Sequence, residues 1–117
     1  MANTSAFRLG GLTLGLSVGT SAHSAVALTS NTPDLINFVA CTNTGTATVA
    51  IKFSTISSDA AKLPTDGTFG DFVLPAGMTT PILIAVPAVN MQYPVYVTAI
   101  ASSGTNLVYV TPTVDQS

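Results

Sequence analysis

Residues 35–53 read LINFVACTNTGTATVAIKF. Two strand-like runs, Leu35–Thr42 and Thr46–Phe53, meet at Asn43-Thr44-Gly45, and Asn and Gly are the residues that supply the positive φ angles of tight hairpins. The second run alternates with period two. Ala47, Val49, Ile51 and Phe53 fall on one face, with Thr46, Thr48, Ala50 and Lys52 on the other. The stretch predicts a β-hairpin with Val49 and Ile51 on a core and Lys52 on an exposed edge or a solvated side.

Working outward, Tyr93–Ala101 and Asn106–Thr111 flank Ser102-Ser103-Gly104-Thr105 and predict a second hairpin, with Gly104 in a tight turn and Val108 and Val110 facing a core. Pro112 is expected to end that strand, leaving a polar tail over about 113–117. Toward the other end, a polar arm (about 1–6) leads into a first strand over Phe7–Val18, broken at Gly10-Gly11. A short strand follows at Ser24–Leu28, then turn chemistry at Ser30-Asn31-Thr32-Pro33-Asp34. In the middle, Ser58–Leu63 reads as a single helical turn capped by Ser58 or Asp59, and Pro64 and Asp66-Gly67 force a turn. Strands are expected at Asp71–Leu74 and Thr79–Val86, the latter edge-like or bulged because of Pro81, with a loop over 87–94. About eight short strands without a useful amphipathic helix give the fold class: all-β, a jelly-roll-like β-sandwich. The 117 residues suit one domain with one core.

Residues 1–27 imitate a signal peptide, with Arg8, an apolar run and Ala25-Val26-Ala27. Four glycines between Gly10 and Gly19 make a poor helix, however, and Leu12, Leu14, Leu16 and Val18 alternate strictly with smaller or polar residues. The segment therefore reads as a strand with those four side chains buried. No stretch reaches the ~18 apolar residues of a membrane span.

Charge is the informative part of the composition. Charged residues are 7% of the chain, against roughly 25% in an ordinary domain, while 18 Thr and 11 Ser supply the polarity. A hydroxyl is far cheaper to bury at an interface than an unpaired charge, so much of this surface is expected to be covered by other protein. Arg8, Lys52 and Lys62 are the only fixed cations and the net charge is −2, which argues against nucleic acid and anionic membrane as partners. One cysteine cannot form an internal disulfide.

Catalytic chemistry has little to draw on. There is no Glu, and His23 and Cys41 are the only nucleophile–base pair available. A loop His reads as solvated and a strand Cys as a small core hydrophobe. Asp59, Asp66 and Asp71 cluster, but no EF-hand spacing or bidentate Glu is present; turn formation, capping and solvation account for them and for Asp34 and Asp115. Gly10, Gly11, Gly15 and Gly19 make no phosphate loop, since no helix follows. Tyr93, Tyr96 and Tyr109 could form a sugar-stacking platform, although strand tyrosines more often form cross-strand pairs. The expectation is no catalytic, cofactor-binding or metal residue, and no enzyme.

The run Asn43–Phe53, the turn Leu74-Pro75-Ala76-Gly77 and the closing segment Ser103–Pro112 resemble hairpins of small virion proteins of tailed bacteriophages, in Thr-rich strands, glycine turns and scarcity of charge. The resemblance implies a capsid cement or decoration protein, a jelly-roll-like sandwich on the outside of a shell of major capsid subunits. It implies a homo-oligomer, dimer or trimer, with no catalytic residues and with its arm and tail reaching neighbours. The alternative is a carbohydrate- or ligand-binding β-sandwich module on a virion tail or cell surface.

Overall fold

In a computed structural model of the chain, the structure describes residues 7–9, 12–28, 36–89 and 95–115. These form nine strands: β1 Phe7–Leu9, β2 Leu14–Val18, β3 Val26–Leu28, β4 Ile36–Asn43, β5 Val49–Ser54, β6 Phe72–Leu74, β7 Ile82–Val89, β8 Val95–Ala101 and β9 Asn106–Asp115. No helix occurs among the described residues.

β1 and β2 pair successively with one edge of β9, at 113–115 and 106–110, so together they make one interrupted strand; Gly10 and Gly11, where the break is expected, lie outside the described residues. Counted that way, eight strand positions form two four-wide antiparallel sheets. The first runs β1/β2-β9-β4-β7 and the second β3-β8-β5-β6. The pairings β1/β2 with β9, β3 with β8, β4 with β7 and β5 with β6 describe one long antiparallel ribbon whose tip is residues 55–71. Rolling that ribbon adds the pairs β4–β9 and β5–β8. First strand beside last, and two interlocked Greek keys, make a jelly roll.

This topology corrects both expected hairpins. β4 and β5 lie in different sheets, as do β8 and β9. The turns at 43–48 and 102–105 are corners where the ribbon passes from one sheet to the other, and their true neighbours are other corners. Gly77 N donates to Gly45 O (2.9 Å), Met78 N to Asn43 O (2.9 Å) and Ala101 N to Gly19 O (2.8 Å). Gly104 has positive φ (62°), but Gly45 does not. Gly45 is required for space instead, because a Cβ there would lie 2.1 Å from Asn106 Oδ1, inside any real contact.

Two fully buried asparagines hold these corners. Asn43 Nδ2 donates to the carbonyls of Ala47 (2.9 Å), Leu74 (3.3 Å) and Pro75 (3.2 Å), while its Oδ1 accepts from Gly45 N (3.0 Å). Asn106 Oδ1 accepts from Ala47 N (3.0 Å) and its Nδ2 donates to Ser103 O (2.9 Å). Chain leaving a sheet loses ladder partners, and these amides replace them.

The core lies between the sheets. Leu16, Val18, Val39, Val49, Ile51, Leu74, Val97, Val108 and Val110 are buried in it, so the expected faces of β5 and β9 hold. In the N-terminal strand Leu16 and Val18 are buried and Leu14 packs against the core, whereas Leu12 is 86% exposed. Leu12 falls in the gap between β1 and β2, and alternation determines a side chain's face only where a ladder fixes the backbone. Pro112 does not end β9, which continues to Asp115. It sits at the same gap, between the β1 and β2 ladders, where a missing N–H is tolerated. The expected 113–117 tail is therefore mostly strand, and 87–89 of the expected loop belong to β7. β7 is an edge strand, in keeping with Pro81. The expected arm at 1–6, the turn at Ser30–Asp34 and residue Tyr93 lie outside the described residues.

No helical turn forms at Ser58–Leu63. Asp59 instead accepts from Ser54 Oγ (2.6 Å) and approaches Lys52 Nζ (3.9 Å), drawing the ribbon tip toward the outer face of the second sheet. Lys52 is on that solvated face, in an interior strand.

Candidate functional site

The residues considered for chemistry do not come together. Cys41 is wholly buried in the core, whereas His23 sits at a corner. There its Nδ1 donates to Ser24 O (2.7 Å), its N–H to Ala99 O (2.8 Å), and its carbonyl accepts from Thr98 Oγ1 (2.6 Å). Burial pushes the Cys41 thiol up to about 12, because the charged form has no water around it. The expected result is that a water-soluble thiol reagent at pH 8 modifies Cys41 at least ~100-fold more slowly in native protein than in urea. Equal rates would place the thiol outside the core.

Asp71 accepts from Lys62 N (2.7 Å), Asp59 is taken by Ser54 and Lys52, and Asp66 is exposed in its turn. Among the described residues no group of three or more His, Cys, Asp or Glu is placed to hold a metal. Tyr109 is on the outer face of the first sheet and Tyr96 on that of the second, each between two buried core valines. They share no platform.

What the fold does assemble is a surface sorted by charge. Five of the eight charged residues lie between Lys52 and Asp71, in β5 and the ribbon tip. The following 43 residues, 72–114, contain none, nor any histidine. They supply β6, β7, β8 and nearly all of β9, and the roll spreads β7 and β9 across the first sheet. The outer face of that sheet presents Gly15 and Ser17 from β2, Leu107 and Tyr109 from β9, Thr42 from β4, and Leu83 and Ala85 from β7. No charged side chain is among those described on it. Leu107, Tyr109 and Leu83 remain 42%, 40% and 45% exposed. A Cβ on Gly15 would touch Leu107 Cδ1 (3.7 Å) and Tyr109 Cε1 (4.0 Å), so the two side chains lie over the glycine as one apolar strip.

This face was missed by motif reading, because no motif encodes it. The signal available in the sequence was the unbroken neutral run 72–114. Compared with protein-family models, curated proteins and solved structures, the chain matches none.

Proposed function

We propose that this is a structural virion protein without catalytic activity, a bacteriophage capsid cement protein. It binds the outside of a shell of major capsid subunits and stabilises that shell. The observation that carries this reading is the outer face of the first sheet, on which no described side chain is charged. Apolar residues and hydroxyls at the centre of a contact, with charge displaced to the rim, are how protein–protein interfaces are composed. Here five of the eight charges sit in β5 and the ribbon tip, away from that face. The jelly roll is used by viral capsid proteins and lectins alike. The separation of Tyr96 from Tyr109 favours the first of these over a sugar-binding module.

A protein that binds only the assembled lattice stabilises it by its binding free energy. Particles carrying it are expected to melt at higher temperature than particles stripped of it. Raising salt to about 1 M should barely change this, since a Debye length of about 3 Å screens exposed charges and leaves apolar contacts intact. Tyr109→Lys and Leu107→Lys should detach the protein from particles while leaving the isolated domain's melting within about 0.5 kcal/mol of wild type. Identical melting of loaded and stripped particles, or release by salt alone, would remove the reading.

A further inference from the structure

We infer that the free protein forms a twofold dimer in which Phe69 of each copy seats in the groove between the β6 and β7 edges of the other. Phe69 is 100% exposed, although an exposed aromatic is ordinarily turned back onto the nearest apolar surface. Its loop leaves it little freedom to do so. Asp71 N donates to Lys62 O (2.8 Å), Lys62 N donates to Asp71 Oδ2 (2.7 Å) and Thr68 N to Thr65 O (2.9 Å). The Thr65 and Thr68 hydroxyls are bonded to one another. Gly70 packs so tightly on Pro64 that a Cβ would lie 2.3 Å from the Pro64 nitrogen. A knob fixed in advance loses little conformational entropy on docking, and a rigid aromatic is the commonest kind of interface anchor.

The complementary shape is three residues along the chain. An open groove of about 570 Å3 runs from Phe72 to Leu83, walled by Leu74, Met78, Pro81 and Ile82 among others, and no residue lining it is charged. Phe72 and Leu83 are 51% and 45% exposed at its rim. Knob and groove on one patch of one chain make that patch self-complementary, which is what a twofold contact requires. Phe69 cannot fill its own groove while its loop is held as described, but a second copy facing it offers knob to groove twice over. Two phenylalanines of roughly 150–250 Å2 each, with matching loss from two grooves, bring the buried area to about 600–1,000 Å2. That approaches the ~1,000 Å2 of a specific contact, so a weak dimer is expected, with Kd on the order of 10 μM. Asp66 and Asp71 are balanced in part by Lys62 on the same loop, and the groove presents no charge to repel them. The dimer would also cover β6 and β7, the two strand edges on that side of the sandwich.

The inference goes beyond the capsid reading and is tested on the free chain, without particles. Sedimentation of the wild type should give a monomer–dimer equilibrium near 10 μM. Phe69→Ser and, separately, Leu83→Asp should each raise Kd at least 30-fold, the size of a hot-spot loss. Phe69→Ser should do so with an unchanged melting temperature, since its side chain touches nothing in the monomer. In an equimolar mixture of the two variants the mixed pair keeps one intact seat, Phe69 of the groove variant in the unaltered groove of the other. The mixture should therefore associate more tightly than either variant alone. A wild type still monomeric at ~100 μM, or a mixture no tighter than its parents, overturns the dimer. If the wild type is monomeric and Phe69→Ser also abolishes binding to particles, the knob meets the shell: the dimer is then wrong and the capsid reading stands.

Discussion

Replacing Val49 by Asp is expected to cost at least about 3 kcal/mol of folding stability at pH 7, a large part of the 5–15 kcal/mol typical of a domain. Val49 is wholly buried, flanked in its sheet by Leu74 and Ala101, and no cation or donor is among its core neighbours. A carboxylate there is desolvated and unpaired. Its folded-state pKa must then rise above the unfolded value of about 3.9. The folded protein then binds more protons than the unfolded one between the two pKa values, so stability falls as pH rises through that window. Part of the loss should return on lowering the pH to about 4. Urea unfolding at pH 7 and pH 4 measures both parts, and Leu107→Asp, on the outer face of β9, is the control, expected to lie within about 1 kcal/mol of wild type. If the Val49 and Leu107 variants unfold alike, the assignment of faces is wrong.

That contrast marks how far the sequence could be read. Period-two alternation placed Val49, Ile51, Val108 and Val110 on the core because each lies in a strand held by ladders on both sides. It failed at Leu12, where the ladder lapses. Turn residues located the chain reversals at 43–45 and 102–105 correctly but not what they join. Local turn chemistry specifies that the chain turns, whereas membership of a sheet depends on which distant strand offers an edge. Here β9 supplies that edge to β4, and β8 supplies it to β5. Such pairings span the length of the chain and leave no local trace.

The candidate surface was legible in a different way. Scarcity of charge was visible as composition, but the gathering of the neutral run 72–114 beside β4 and β2 needed the roll, which brings β7, β4, β9 and β2 into one sheet. Phe69 and its groove were invisible to pattern reading. A single Phe in an irregular segment looks like a loop residue until Lys62, Asp71, Thr65 and Thr68 are seen to bond across its loop.

The corner at Asn43 carries the second large effect. Asn43→Asp keeps the side chain's shape, so any loss measures hydrogen bonding and not packing. The three carbonyls that Nδ2 now serves, those of Ala47, Leu74 and Pro75, would face a second acceptor. Each unsatisfied buried group costs about 1–3 kcal/mol, and a carboxylate among carbonyls adds repulsion in a site with little water to screen it. The expected loss is about 3 kcal/mol at pH 7. Protonation restores one donor, so the folded-state pKa is raised above the unfolded value of about 3.9, and the loss should shrink as pH falls from the folded-state pKa toward about 4. Asn43→Leu should cost a similar amount at both pH values, because it lacks a group to protonate. Urea midpoints for the two variants at pH 4 and pH 7 make the test. A pH-independent Asn43→Asp variant as stable as wild type would mean that water, not Asn43, satisfies those carbonyls. The loss should also spread beyond β4. Asn43 ties the 43–48 corner to the β6–β7 corner, and Asn106 ties it to β9, so loosening it should raise amide exchange at Gly45, Ala47 and Gly77 together.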